Sequence, residues 1–111
     1  MRIAMVSPLE IRVPPYGYGG TELVVSLLTE ELVRRGHDVT LFASGDSRTS
    51  ARLRAGSERF LRGTSRDKAI LNMLNVVACM KRASQFNIIH NHTSFEGLAL
   101  AGLVGFEPED G

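Results

Sequence analysis

The chain has 111 residues, 43% of them hydrophobic, and 13 basic against 12 acidic side chains leave a net charge of +1. That length holds one modest domain with a core and falls short of a complete doubly wound enzyme domain, and no nucleic-acid partner is expected. The lone cysteine, Cys79, excludes an intramolecular disulfide, and no apolar run approaches the roughly 20 residues of a membrane span.

The first strand is read at Arg2–Ser7, so the start Met1-Arg2-Ile3 leads into a strand and not a signal peptide, and a cytoplasmic or peripheral membrane location is expected. A glycine-rich loop, Pro14–Gly20, follows, and then a helix over Thr21–Arg35 with Leu23, Val24, Leu27, Leu28 and Leu32 at three- and four-residue spacings. Gly36 is expected to end that helix as a left-handed cap. A second strand at Asp38–Ala43 completes a right-handed βαβ crossover whose loop lies at the carboxyl end of the sheet, where ligands bind. Free amides and the positive dipole end of the helix favour an anion there, and Gly19 and Gly20 remove the side chains that would obstruct it.

Ser44–Gly63 is rich in Gly, Ser, Thr and Arg, and only Glu58–Leu61 reads as a short edge strand. Arg48, Arg52, Arg54, Arg59, Arg62, Arg66 and Lys68 crowd residues 48–68, where Glu58 and Asp67 are the acids; a solvated loop and helix start is the plainer reading, contact with phosphates or an anionic membrane surface the other. Thr64 with Asp67 resembles a capping box for a second long helix ending near Ser84, with Ile70, Leu74 and Val77, joined by Met73 and Met80, as its buried stripe. Cys79 lies on this helix as an inert core residue. A short strand at Ile88–Asn91 and a nearly all-apolar helix from a Thr93/Glu96 capping box to about Val104 complete the domain, with 105–111 as a tail.

Several constellations carry more than one chemical reading. The dinucleotide fingerprint needs glycines at positions one, three and six of a tight turn; Gly17 and Gly19 fit, but the sixth position is Glu22 and the loop is too long. Asp46 imitates the ribose-binding acid but sits in an ordinary SGDS turn. His90 and His92, one residue apart on a strand, project to one face, a geometry that suits a metal, a cleft role or plain packing. A third ligand is missing, because His37 lies at the opposite end of the sheet, and no metal is expected. Tyr16 and Tyr18 either stack on a sugar ring or cover the loop, and Asn91 points away from the histidines.

Four segments in order, MRIAMVSP, PPYGYGGTE, LVRRGHDVTLFASGDS and NIIHNHTSFEGLAL, resemble the amino-terminal domain of family-four glycosyltransferases of the GT-B type, over most of residues 1–104. The resemblance implies a two-domain enzyme with Rossmann-like halves facing across a cleft, transferring a sugar from a nucleotide sugar to a sugar, lipid or small-molecule acceptor with retention. It implies that the double glycine, Gly19 and Gly20 with Thr21, sits over the donor phosphates. Tyr16, Tyr18, His90 and His92 would then line the acceptor side. A carboxyl-terminal donor-binding domain, with most nucleotide contacts and a pair of glutamates, is expected outside this sequence, so the chain alone is expected to be inactive. Such enzymes use the nucleotide sugar as substrate and need no cofactor or metal for the transfer, and no Asp-x-Asp motif occurs. The family's usual catalytic-site histidine follows the next strand, in a Thr-x-His-like segment not found after Val104, and the catalytic residues are unassigned.

The expected fold is α/β and Rossmann-like: a mainly parallel sheet with helices on both faces, in the order edge strand, Asp38 strand, Arg2 strand, Ile88 strand. The last strand would leave an open apolar edge at Ile88 and Ile89, through which dimerisation is expected. The functional alternative is a non-catalytic phosphate- or sugar-binding module of the same fold.

Overall fold

Strand β1, Arg2–Val6, is the central element because both of its faces are apolar: Ile3, Ala4, Met5 and Val6 are all buried. The computed structural model describes residues 1–64 and 67–93. Helix α1, Gly20–Arg34, leads to β2, Asp38–Ser44, and then to β3, Arg52–Ser57. Helix α2, Lys68–Met80, and a single 3₁₀ turn at Ala83–Gln85 precede β4, Ile88–Asn91. All pairings are parallel and the order is β3-β2-β1-β4. This is the Rossmann-like arrangement expected, and the expected Ile88–Asn91 strand is matched residue for residue.

The alternation of β1 divides the core. Ile3 and Met5 pack with Val25 of α1, Val39 and Leu41 on one face, while Ala4 and Val6 pack with Phe42, Val76, Cys79 and Met80 on the α2 face. Phe42 and Phe86 meet edge to face at 6.1 Å between centroids. Burial pushes the Cys79 thiol up to about 12, which fits an inert core residue.

Gly36 ends α1 as anticipated. With φ +90° it lets the Leu32 and Val33 carbonyls accept from the His37 and Gly36 amides at 3.1 and 3.0 Å.

Both helices are rotated from the orientation that hydrophobicity implies. In α1 the row on the sheet is Glu22, Val25, Ser26 and Thr29, flanked by Leu28 and Leu32, and Leu23, Val24 and Leu27 face outward. The short side chains let the helix lie close to the strands. In α2 the buried row is Asn72, Asn75, Val76, Cys79 and Met80, whereas Ile70, Met73 and Leu74 are exposed. Hydrogen bonding decides this. The Leu9 amide donates to Asn72 Oδ1 at 2.9 Å, and Asn75 Nδ2 donates to the carbonyls of Ser7 at 3.1 Å and Phe42 at 3.4 Å.

Three further expectations are corrected. The edge strand is Arg52–Ser57, not Glu58–Leu61: it pairs with Thr40–Ser44, while Leu61 is buried beneath the first loop with its amide on the Leu9 carbonyl. So the basic stretch is partly a strand, with exposed Arg52 and Arg54 guarding its edge. The cap of α2 is Asp67, whose carboxylate accepts from the Ile70 amide at 3.1 Å, while the Thr64 hydroxyl donates to the Leu61 carbonyl. That helix also ends at Met80, before Ser84. The expected helix from Thr93 to Val104, with Phe95, Leu98 and Ala101, and the tail lie outside the described residues apart from Thr93 itself.

Candidate functional site

All four strands end on one rim, and the loop between β1 and α1 crosses it. Reversal of strand order between β1 and its two neighbours, β2 and β4, opens a crevice there, the usual ligand position in such sheets. The Ser7–Gly19 loop is held from three sides. Asn72 accepts the Leu9 amide; the Leu61 and Arg62 amides donate to the Leu9 and Glu10 carbonyls at 2.9 and 3.0 Å; and the Val13 amide donates to Ser47 Oγ at 2.9 Å. The Val13–Pro14 peptide is cis.

The loop delivers the chain to Gly19, which precedes α1 with no side-chain cap. The first intrahelical bond runs from the Leu23 amide to the Gly19 carbonyl at 2.9 Å, so the amides of Gly20, Thr21 and Glu22 have no helix carbonyl to meet. The two glycines differ in surroundings. A Cβ on Gly19 would stand 2.8 Å from Pro15 Cβ, whereas one on Gly20 would have nothing within 4 Å. Gly19 is therefore a packing requirement and Gly20 an open face. Thr21 is exposed beside it. Glu22 is buried against the turn, its Oε1 3.2 Å from where a Gly19 Cβ would be. Its carboxylate favours the helix start, and an arriving anion must share that end with it.

His90 pairs with Met5 in register, which puts it on the α1 face at the rim, and the His92 amide continues the pairing to the Val6 carbonyl at 2.9 Å. The two rings lie 4.1 Å apart between centroids, tilted by 37°, so they do share one face. Desolvation, and then the neighbouring His90, hold His92 below the ordinary histidine range, and its Nε2 is buried without a partner among the described residues. Among the described residues no cluster of three His, Cys, Asp or Glu is placed to hold a metal ion. His37 contacts the Met1 amino group, 3.3 Å from Nδ1, at the far end of the sheet. Asn91 Oδ1 accepts from the Thr93 amide and hydroxyl, fixing the turn that follows β4.

Tyr16 and Tyr18 project from the loop, 81% and 89% exposed. They are not gathered with the histidines. Instead they line a cavity of about 170 Å³ with Arg12, Phe60 and Arg62, on the β3 side of the rim. From sequence Arg62 belongs only to the basic stretch, and no role falls to Arg12 or Phe60, nor to Asn72, Asn75 and Ser47, which hold the loop. Their signal was a polar residue at a core position or an arginine among apolar neighbours, visible only once the elements are docked.

A parallel sheet carrying a long glycine-bearing loop into a helix without a side-chain cap defines a Rossmann-like α/β domain. The profile of Glycosyltransferase Family 4 matches residues 18–106, well over half of the chain. The chain belongs to glycosyltransferase family 4, in agreement with the resemblance carried by its motifs. A search of curated proteins finds no significant match. No helix among the described residues is long and apolar enough to cross a membrane.

Proposed function

We propose that this chain is the acceptor-side half of a GT-B glycosyltransferase, transferring a sugar from a nucleotide-sugar donor to an acceptor hydroxyl with retention of configuration. The observation that carries the reading is the uncapped start of α1, where Gly20 leaves the amides open to a ligand. In sugar transfer the glycosidic bond to the diphosphate breaks and charge develops on the departing oxygens. Amide dipoles fixed at Gly20 and Thr21 stabilise that charge without reorganising, so they act on the transition state more than on the bound donor. His90 and His92, at the same end and on the α1 face, line the cleft, and Tyr16 and Tyr18, apart from them on the first loop, offer ring faces to the acceptor sugar. A second Rossmann-like half supplies the remaining donor contacts across the cleft.

The test is turnover by the full-length protein with a panel of nucleotide sugars and acceptors, followed as release of nucleoside diphosphate and as product anomeric configuration. Acceptor-dependent release with retained configuration is expected. Tight nucleotide-sugar binding with neither transfer nor hydrolysis would favour a non-catalytic binding module.

A further inference from the structure

Arg12 is a buried residue with no anion at ion-pair distance among the described residues. The residue is 7% exposed, and its Nε is buried with no hydrogen-bond partner among the described residues. None of the ion pairs among the described residues includes it. The guanidinium lies over the Tyr16 ring, 4.1 Å from the centroid. A guanidinium cannot shed its proton to escape burial, and one stacked ring compensates only part of its lost hydration. Such a group is in place for a negatively charged partner.

The cavity beside it has matching chemistry. Tyr16, Tyr18 and Phe60 give it apolar walls, Arg62 adds a second guanidinium, and none of its described lining residues is acidic. The nearby Glu10 is turned elsewhere, toward Lys68 at 3.8 Å and Asn72 at 3.4 Å. Backbone bonds from Arg62 to Glu10 and from Leu61 to Leu9 fix the opposing walls relative to each other. At about 170 Å³ the space lies below the roughly 300 Å³ at which drug-sized pockets begin, so it admits one small ring.

We propose that this cavity is the acceptor pocket and that the acceptor is an anionic sugar, a single ring bearing a phosphate or carboxylate. Arg12 grips the anion through its planar fork, Arg62 closes on it from the exposed side, and the tyrosines and Phe60 pack against the ring. This deepens the glycosyltransferase reading and rests on it. It also gives the charge of Arg12 a use that a neutral acceptor would not.

The experiment is calorimetric titration of the full-length protein with glucose, glucose 6-phosphate and glucuronate at low and high salt. Glucose 6-phosphate or glucuronate should bind at least tenfold more tightly than glucose, with a preference that shrinks as salt rises, and comparing the two tells phosphate from carboxylate. Arg62→Ala, at an exposed position, and Arg12→Lys, which keeps the charge and loses the fork, should each cut that preference severalfold. Arg12→Met should abolish it while leaving the ligand-free melting temperature level or higher, because a buried unpaired charge has gone. Equal binding of charged and neutral sugars, no binding of any, or a preference untouched by all three substitutions would overturn the proposal. Donor hydrolysis by the unaltered protein keeps the two readings apart. Hydrolysis without anion preference sinks the acceptor assignment alone; anion preference with no action on any donor sinks the transferase reading alone.

Discussion

Asn72 accepts the backbone amide of Leu9 at 2.9 Å, joining a helix to a loop 63 residues earlier in the chain. The bond is buried, so the amide has no water to turn to when its partner is removed. Asn72→Leu is therefore expected to lower stability by about 1–3 kcal/mol in urea unfolding. It should also loosen the first loop, seen as faster amide exchange at Leu9. Unchanged exchange at Leu9 would show that the bond does not hold the loop.

The rotation of α2 is tested by two truncations. Val76 is buried and Leu74 is 55% exposed, although periodicity favours Leu74 as the core residue. Val76→Ala should cost about 2 kcal/mol, and Leu74→Ala should stay within about 0.5 kcal/mol. The reverse order in chemical denaturation would mean that the helix presents the face read from sequence.

The glycines separate folding from ligand binding. A Cβ at Gly56 would lie 2.5 Å from Asn75 Oδ1, an atom whose side chain is pinned by two carbonyls, so Gly56→Ala should destabilise by about 1–3 kcal/mol. Gly20 faces open space. Gly20→Asp should leave the melting temperature nearly unchanged and reduce donor use by an order of magnitude or more, through charge repulsion at the helix start. Undiminished turnover in that variant would remove the phosphate role from this turn.

His92 ties stability to pH. The fold lowers its pKa below the ordinary 6.5, first by desolvation and then by His90, so the unfolded chain binds a proton more readily than the folded one. Stability is thus full above about pH 6.5 and falls as pH drops from there to the folded-state value. His92→Gln should flatten the dependence across that window in denaturation series. An equally steep slope in the variant would assign the effect to another group.

The histidines also bear on assembly. His90 lies on β4 and His92 just beyond its end; β4 is the outer strand on its side among the described residues, and the half-buried Ile88 and Ile89 run along it. Dimerisation through this edge is proposed, with a concentration-dependent rise in sedimentation coefficient as the expected result. A strictly monomeric species at high concentration would count against it.

How far the sequence could be read follows from what each signal measures. The order β2-β1-β4 with an edge strand beyond β2, and the bounds of β1, β2 and β4 to within one residue, were legible because parallel strands inside a sheet are short apolar runs with turns around them. The helix faces were not. Periodicity finds the most hydrophobic stripe, and here carbonyls of Ser7 and Phe42 needed donors more than the sheet needed Ile70 or Leu74. Strand β3 escaped notice because arginines and a glycine hide its alternation, in which Arg52 and Arg54 face one side and Leu53 and Ala55 the other. The Gly19–Gly20 turn and the histidine pair were visible as local motifs. Arg12 was not, since the burial of a charge depends on residues some 50 positions away, at Phe60 and Arg62.

The clasp made by Asn75 has an electrical consequence for the mouth of the sheet. The Phe42 carbonyl receives both the Ser7 amide and the Asn75 side chain, and the Ser7 carbonyl receives Asn75 as well, so both oxygens near the carboxyl ends of the two middle strands are engaged. Two carbonyl oxygens that would repel an anion at this rim are thus occupied by donors from within the fold.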